Sequence, residues 1–200
     1  MKIVKADKNG LQAAVEVLAA GGVVAFPTET SYGLAADATN PRAVARVYRI
    51  KKRSGEKSLP VIVADLKMVE KYALLTSLAK QLARKFFPAP LTLVVKLRRN
   101  SGLAKNISSN GKIAFRVSSN KFAAALSKKL GKPITSTSAN LSGKNSLFSV
   151  RGLQLHGVNL IIDAGKLPRK KPSTIVDCTE KQPAVLRQGR IKINPTERAK

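Results

Sequence analysis

Apolar residues in this chain fall into short runs bounded by Gly, Pro, Asn or Ser. Leu11, Ala14, Val15 and Leu18 recur at helical spacing after Asn9, which reads as an N-cap, and Gly21-Gly22 end that helix. Residues 23–26 form a continuous apolar run stopped by Pro27, the pattern of a strand covered on both faces. Asn40-Pro41 supplies a cap and a first-turn proline ahead of Val44, Val47, Tyr48 and Lys51, which share one helical face. The same reading predicts strands at 59–64, 91–97, 113–117, 134–138, 158–163, 174–178 and 185–186. It predicts helices at 74–87, broken by Pro88-Ala89-Pro90, and from Asn120 to Leu130, closed by Gly131. The expected class is α/β: a twisted mixed sheet with flanking helices, without the strict alternation of a doubly wound fold. Residues 1–193 read as one domain and 194–200 as a loose basic tail.

Polar chemistry concentrates where these runs end. Thr28, Thr30 and Tyr32 alternate with Glu29 and Ser31, so an extended backbone would put the first three on one face. That is the pattern of an edge strand or of a small polar pocket. Glu29 is a lone carboxylate there, open to a role as base or metal ligand, but more naturally the partner of a cation. Lys51 ends the second helix, Lys52 and Arg53 lie just past it, and Lys57 follows within one short loop. Such a run is an ordinary solvated face unless the loop wraps a polyphosphate, which Arg meets with a planar fork and Lys with a point charge. Ser136, Thr137, Ser138, Asn140, Ser142 and Gly143 hold more hydroxyl and amide groups than one turn uses, and Ser146 continues the same loop. Arg116 and Arg187 each end a predicted strand, and Ser173 directly precedes one.

Composition narrows the chemistry. Apolar residues make up 44% of the 200, so a core is affordable, but with 4% aromatics and no Trp it must be aliphatic. Lys and Arg number 37 against 11 Asp and Glu, a net charge of +26. Either the surface is generally basic or the partner is a polyanion; cations spread along the whole chain without interleaved aromatics give no stacking platform for single strands. Cys178 is the only cysteine and sits in an apolar run, as a buried small hydrophobe would. With no disulfide, no leader and no long apolar stretch, the expected compartment is the cytoplasm, away from membranes. His156 is the only histidine, which disfavours a His metal site or triad. Walker and Rossmann glycine loops are absent.

In chain order the segments at 27–34, Lys51-x-Arg53, 59–63, 88–92, Arg116-Val117, 138–143, 173–177 and 186–189 resemble the YrdC family, the threonylcarbamoyl-AMP synthases of tRNA modification. The likeness runs from about residue 21 to 191 and matches the short form, without an additional C-terminal domain. It implies helices and a twisted sheet around a basic concave cavity. The implied enzyme is a nucleotidyltransferase that joins L-threonine, bicarbonate and ATP into L-threonylcarbamoyladenylate and pyrophosphate. A separate tRNA threonylcarbamoyl transferase would use that product, and Mg²⁺ would arrive with ATP, held mainly by phosphates.

The resemblance puts Thr30, Arg116, Ser136 and Ser173 on threonine. Arg53, Lys57, Ser138, Ser146 and Arg187 fall on ATP, and Lys51, Arg53, Ser138 and Asn140 form the catalytic set, with no metal ligand. Framework departures are Ser54, Phe87, Ala89 and Ser118, and Ile62 stands where relatives carry a polar contact to threonine. The alternative function is a protein of the same fold that binds tRNA or structured RNA without synthase activity. A catalytically divergent copy would be free to lose the Lys-x-Arg and Ser-x-Asn pairs that this chain retains.

Overall fold

The computed structural model describes residues 2–55, 57–108, 110–153 and 155–193. In chain order the elements are β1 (Lys2–Lys5), α1 (Lys8–Ala19), β2 (Val24–Pro27), β3 (Tyr32–Ala35), α2 (Pro41–Lys51), β4 (Val61–Ile62), α3 (Leu66–Tyr72), β5 (Ala73–Leu74) and α4 (Ser77–Phe86). Then follow β6 (Leu91–Leu97), β7 (Lys112–Arg116), α5 (Lys121–Leu130), β8 (Ile134–Thr135), β9 (Thr137–Ser138), β10 (Leu160–Asp163), β11 (Thr174–Asp177) and β12 (Ala184–Arg187). The tail expected at 194–200 lies outside the described residues.

The strands form two mixed sheets. One runs β1-β10-β2-β3-β9; the other runs β12-β11-β6-β7-β4-β8, with β5 beside the far end of β6. The mixed α/β class expected from the pattern is the one found, divided into two sheets.

Why the apolar run at 23–26 is continuous is clear from the packing. Val24 and Phe26 join Ala14 and Leu18 of α1 and Ala123 and Leu126 of α5 in one core cluster. Ala25 faces the opposite way into the larger cluster with Val44 and Val47 of α2. Successive side chains of a strand point to opposite faces, so a sheet covered on both sides needs an apolar residue at every position.

Several element ends follow their expected caps. Asn40 Oδ1 accepts from the amides of Arg42 and Ala43, and Asn120 Oδ1 from Ala123. Gly131 closes α5 at φ 72°, a conformation open to glycine at no steric cost. The cap of α1 is Asp7 rather than Asn9: Asp7 Oδ1 accepts from Gly10 N at 2.8 Å, so the helix starts two residues earlier. The helix expected at 74–87 begins at Ser77, because the Thr76 hydroxyl caps it by accepting from Ala79 N. Residues 73–74 pair with β6 instead.

Two differences shape the site. The segment at 27–34 is not an edge strand. β2 and β3 are antiparallel neighbours inside the sheet, and residues 28–31 are the tight connection between them. The Thr28 hydroxyl builds that turn, donating to Ser31 O at 2.7 Å and accepting from the amides of Thr30 and Ser31, both at 3.2 Å. The strand expected at 134–138 is two strands. β8 pairs β4 in the second sheet and β9 pairs β3 in the first, so the chain crosses between sheets at Ser136.

Candidate functional site

The crossing at Ser136 opens a cleft of about 770 Å³ between the sheets. The β2–β3 turn brings Thr28 and Thr30 to it; the end of β7 brings Arg116; the crossing brings Ser136 and Ser138. Ser173 before β11 and Arg187 at the end of β12 arrive from neighbouring strands, where Ile175 is paired with both Arg187 and Thr92. Among the described lining residues the cations are Arg53, Arg116, Arg169, Lys170 and Arg187, and there is no carboxylate. Such a cavity attracts anions.

Of the residues singled out in the sequence, Thr30, Arg53, Arg116, Ser136, Ser138, Ser146, Ser173 and Arg187 line this cleft; Lys51, Lys57 and Asn140 do not. Lys51 ends α2 with its ammonium turned beneath the 138–140 loop. Its Nζ donates to Ser138 O at 2.5 Å and Asn140 O at 2.7 Å, and stands 3.4 Å from Asn140 Oδ1. Burial, and secondarily the charge of Arg53, push its pKa down to about 8. Lys51, a member of the catalytic set that the resemblance implies, therefore holds a loop rather than facing the cleft. Asn140 turns inward too, and its side-chain amide donates to Leu141 O and Lys144 O. Lys57 is exposed, and its carbonyl, not its ammonium, serves the site: it accepts from Arg53 Nε at 3.3 Å and from the Tyr48 hydroxyl at 3.0 Å. Arg53 Nη2 also donates to Ser58 O, so backbone carbonyls orient the Arg53 fork.

Arg187 is held by Ser173. Its Nε and Nη2 donate to Ser173 O at 3.0 and 2.8 Å, and Nη2 also reaches Ser173 Oγ at 3.0 Å. Thr92 Oγ1 donates to the same Ser173 hydroxyl at 3.0 Å. Burial, then the nearby Arg116 charge, lower the Arg187 pKa.

At Arg116 the arrangement is different. Nη2 donates to Ser136 Oγ at 2.9 Å, and Nη1 lies 3.1 Å from Glu29 Oε1. The side chains of Arg116 and Glu29 are 8% and 7% exposed. The Glu29 contact is ionic without hydrogen-bond alignment, since Oε1 has no aligned donor among the described residues. The Ser118 hydroxyl donates to Glu29 Oε2. Burial lowers the Arg116 pKa, and the Glu29 charge acts against that.

Sequence reasoning missed Thr92, Phe148, Arg169 and Lys170 as lining residues. Arg169 covers the Phe148 ring at 5.6 Å, a cation–π contact. An aromatic in an aromatic-poor chain, next to the Ser146 loop, was the available signal. Thr92 closes the 88–92 segment of the resemblance, but as a lone hydroxyl in an apolar strand it was not singled out.

Chemically, the cleft offers positive charge, fixed hydroxyls and no nucleophile–base pair. Cys178 is buried, with its thiol pushed up to about 12 mainly by burial, and is no nucleophile. Among the described residues no group of three or more His, Cys, Asp or Glu could hold a metal ion.

The Sua5/YciO/YrdC family model, described as telomere recombination, matches residues 16–189. A threonylcarbamoyl-AMP synthase from Vibrio vulnificus is 39% identical over 188 residues, covering 90% of this chain and 99% of its own length. The crystal structure of P. abyssi Sua5 complexed with L-threonine superimposes with a TM-score of 0.86 at 32% identity. That match covers 94% of this chain but 56% of the Sua5 chain, so the present chain spans a little over half of that protein. E. coli YciO matches with a TM-score of 0.83 at 28% identity, covering 97% of both chains. With the family's model matched over 16–189 and its fold reproduced around one cationic cleft, this chain belongs to the Sua5/YciO/YrdC family.

Proposed function

We propose that the protein is a threonylcarbamoyl-AMP synthase, a nucleotidyltransferase, with its active site in the cleft between the two sheets. The observation that carries the reading is that a polar group of Thr30, Arg116, Ser136 and Ser173 shares one cavity with Arg53, Ser138, Ser146 and Arg187. The first group suits an amino acid and the second a nucleotide. Relatives named for this activity at 39% identity support the reading, as does the fold shared with a Sua5 that binds L-threonine.

The chemistry needs no enzyme nucleophile. The threonine amine condenses with bicarbonate to give a carbamate and water. A carbamate oxygen then attacks the α-phosphorus of ATP, and the bond to the β-phosphate bridge breaks as pyrophosphate leaves. Negative charge spreads over phosphate oxygens, and Arg53 and Arg187 are placed to neutralise it. Lys51 and Asn140 contribute by holding the Ser138 loop. Arg116, held by Ser136 and Glu29, meets the threonine carboxylate.

Mg²⁺, in this reading, enters with ATP. A cleft lined without carboxylates does not fit a protein-held divalent site, so phosphate oxygens supply its ligands. A separate transferase passes the threonylcarbamoyl group to a tRNA adenosine. None of the described helices is long and apolar enough to cross a membrane, and cytoplasmic residence of residues 1–193 as one catalytic domain is part of the proposal.

The test is pyrophosphate release that requires threonine, bicarbonate and ATP together. Release that persists without threonine would overturn the assignment.

A further inference from the structure

Five cations and no carboxylate line the cleft, so on charge alone any part of it would draw in polyphosphate. Among the described residues, Arg116 is the one lining cation that has a carboxylate partner, Glu29. Arg53 and Arg187 donate instead to neutral carbonyls and a hydroxyl, which leave their positive charge in place. We infer that Glu29 reserves the Arg116 end of the cleft for a net-neutral, zwitterionic amino acid by fixing the Arg116 guanidinium and cancelling its charge. The inference rests on the synthase reading above.

The geometry gives Glu29 both parts of that role. Its side chain touches Arg116, is 7% exposed and is outside the cleft lining. One oxygen faces Nη1 of Arg116 and the other accepts the Ser118 hydroxyl. Ser136 Oγ takes the other terminal nitrogen of Arg116. The guanidinium is thus held from two sides, by the β2–β3 turn and by the crossing between sheets. Nearby titratable and charged groups are Arg187, which the Arg116 charge reaches, and Glu29 itself.

An approaching carboxylate gains from Arg116 and loses to Glu29. An amino acid carries an ammonium that regains the loss, because it is drawn towards the Glu29 charge. A phosphate oxygen or a plain carboxylic acid brings no such cation. Glu29 therefore acts against the wrong ligand as much as for the right one, which is how specificity between anions is set. It is a positioning residue: it acts through Arg116 and its own field.

Calorimetric titration of wild type and Glu29→Gln with three probes tests this: L-threonine, 3-hydroxybutyrate (the same skeleton without the amine) and pyrophosphate. Wild type is expected to bind threonine at least tenfold more tightly than 3-hydroxybutyrate. In Glu29→Gln the threonine affinity falls about tenfold, the gap between threonine and 3-hydroxybutyrate closes, and pyrophosphate becomes a competitor of threonine. A merely structural role would weaken all ligands together and leave the gap intact; that result overturns the inference. If the variant does not fold, wild type decides alone, because equal binding of threonine and 3-hydroxybutyrate overturns it as well. Wild type that binds ATP but no threonine overturns the synthase reading itself, and this inference with it.

Discussion

The Lys51 ammonium lies 2.7 Å from the carbonyl oxygen of Asn140, and the backbone closes the link in the other direction, with Ser142 N donating to Lys51 O at 2.9 Å. The end of α2 and the 138–142 loop are therefore tied twice. The ammonium tie is charge-assisted and the amide tie is not.

Lys51→Met removes the first tie and keeps the second. Hydrogen bonds to a charged group contribute about 1.5–3 kcal/mol, so the loop carrying Ser138 is expected to loosen by that order. The expected result is a roughly tenfold rise in KM for ATP with little change in KM for threonine. Amide hydrogen exchange over 138–142 should quicken at the same time. Unaltered exchange and unaltered kinetics would remove Lys51 from the site.

Lys51 also predicts a pH dependence of stability. In the unfolded chain its proton is held up to about 10.5, but in the fold it is lost near 8. Between those values the unfolded state binds more protons, so stability rises with pH across the window. Below pH 8 both states are protonated and the contribution is at its lowest. Denaturant unfolding of wild type and Lys51→Met at pH 7, 9 and 10.5 isolates the group. The wild type should gain on the order of 3 kcal/mol relative to the variant from pH 7 to 10.5. A flat or falling difference would mean that the three oxygens around Nζ outweigh burial.

Arg116→Met leaves the Glu29 carboxylate buried without its counter-charge. Breaking such a pair costs about 3–5 kcal/mol, whereas removing both charges costs far less. The double variant Glu29→Gln with Arg116→Met should therefore be more stable than Arg116→Met alone, by urea midpoint. If the double variant is the less stable one, the pair is not coupled in the way its 3.1 Å separation implies.

Gly189, between Arg187 and Arg190, tests a close backbone approach rather than a charge. A Cβ there would stand 2.2 Å from Pro172 O, 2.5 Å from the Ser173 carbonyl carbon and 2.6 Å from Thr174 N. These are backbone atoms with no easy way to yield, and they carry Ser173. Gly189→Ala is expected to cost about 1–3 kcal/mol and to weaken the Ser173 grip on Arg187. The checks are thermal unfolding and KM for ATP, and a variant with wild-type values in both would show that the close approach relaxes freely.

Much of this was legible in the chain. The helices from Pro41 and Lys121 were read correctly because local groups decide them: an Asn side chain caps each, and α5 ends on a left-handed glycine. The run 91–97 is a strand as expected, with an apolar inner stretch and a polar end. The errors fall where side chains or the second sheet compete locally. Asp7 outdoes Asn9 as a cap because its oxygen reaches Gly10 N. Residues 134–138 look like one strand, but each half finds a different partner, and pairing partners are not local information.

The sequence by itself determined the class of elements, the hydroxyl and cationic character of the loops, and that the chain holds one histidine and one cysteine. Those properties are set by residue type and short spacing, so they survive without coordinates. Tertiary structure alone decided which cations face the cleft. Lys51 and Arg53 are two residues apart, yet one is turned under a loop and the other lines the cavity, because the end of α2 is anchored to a carbonyl 89 residues away. The pairing of Arg116 with Glu29, across more than eighty positions, likewise exists only once both sheets have formed. Charge is written in the chain, but where it points depends on which distant oxygens are near enough to hold it.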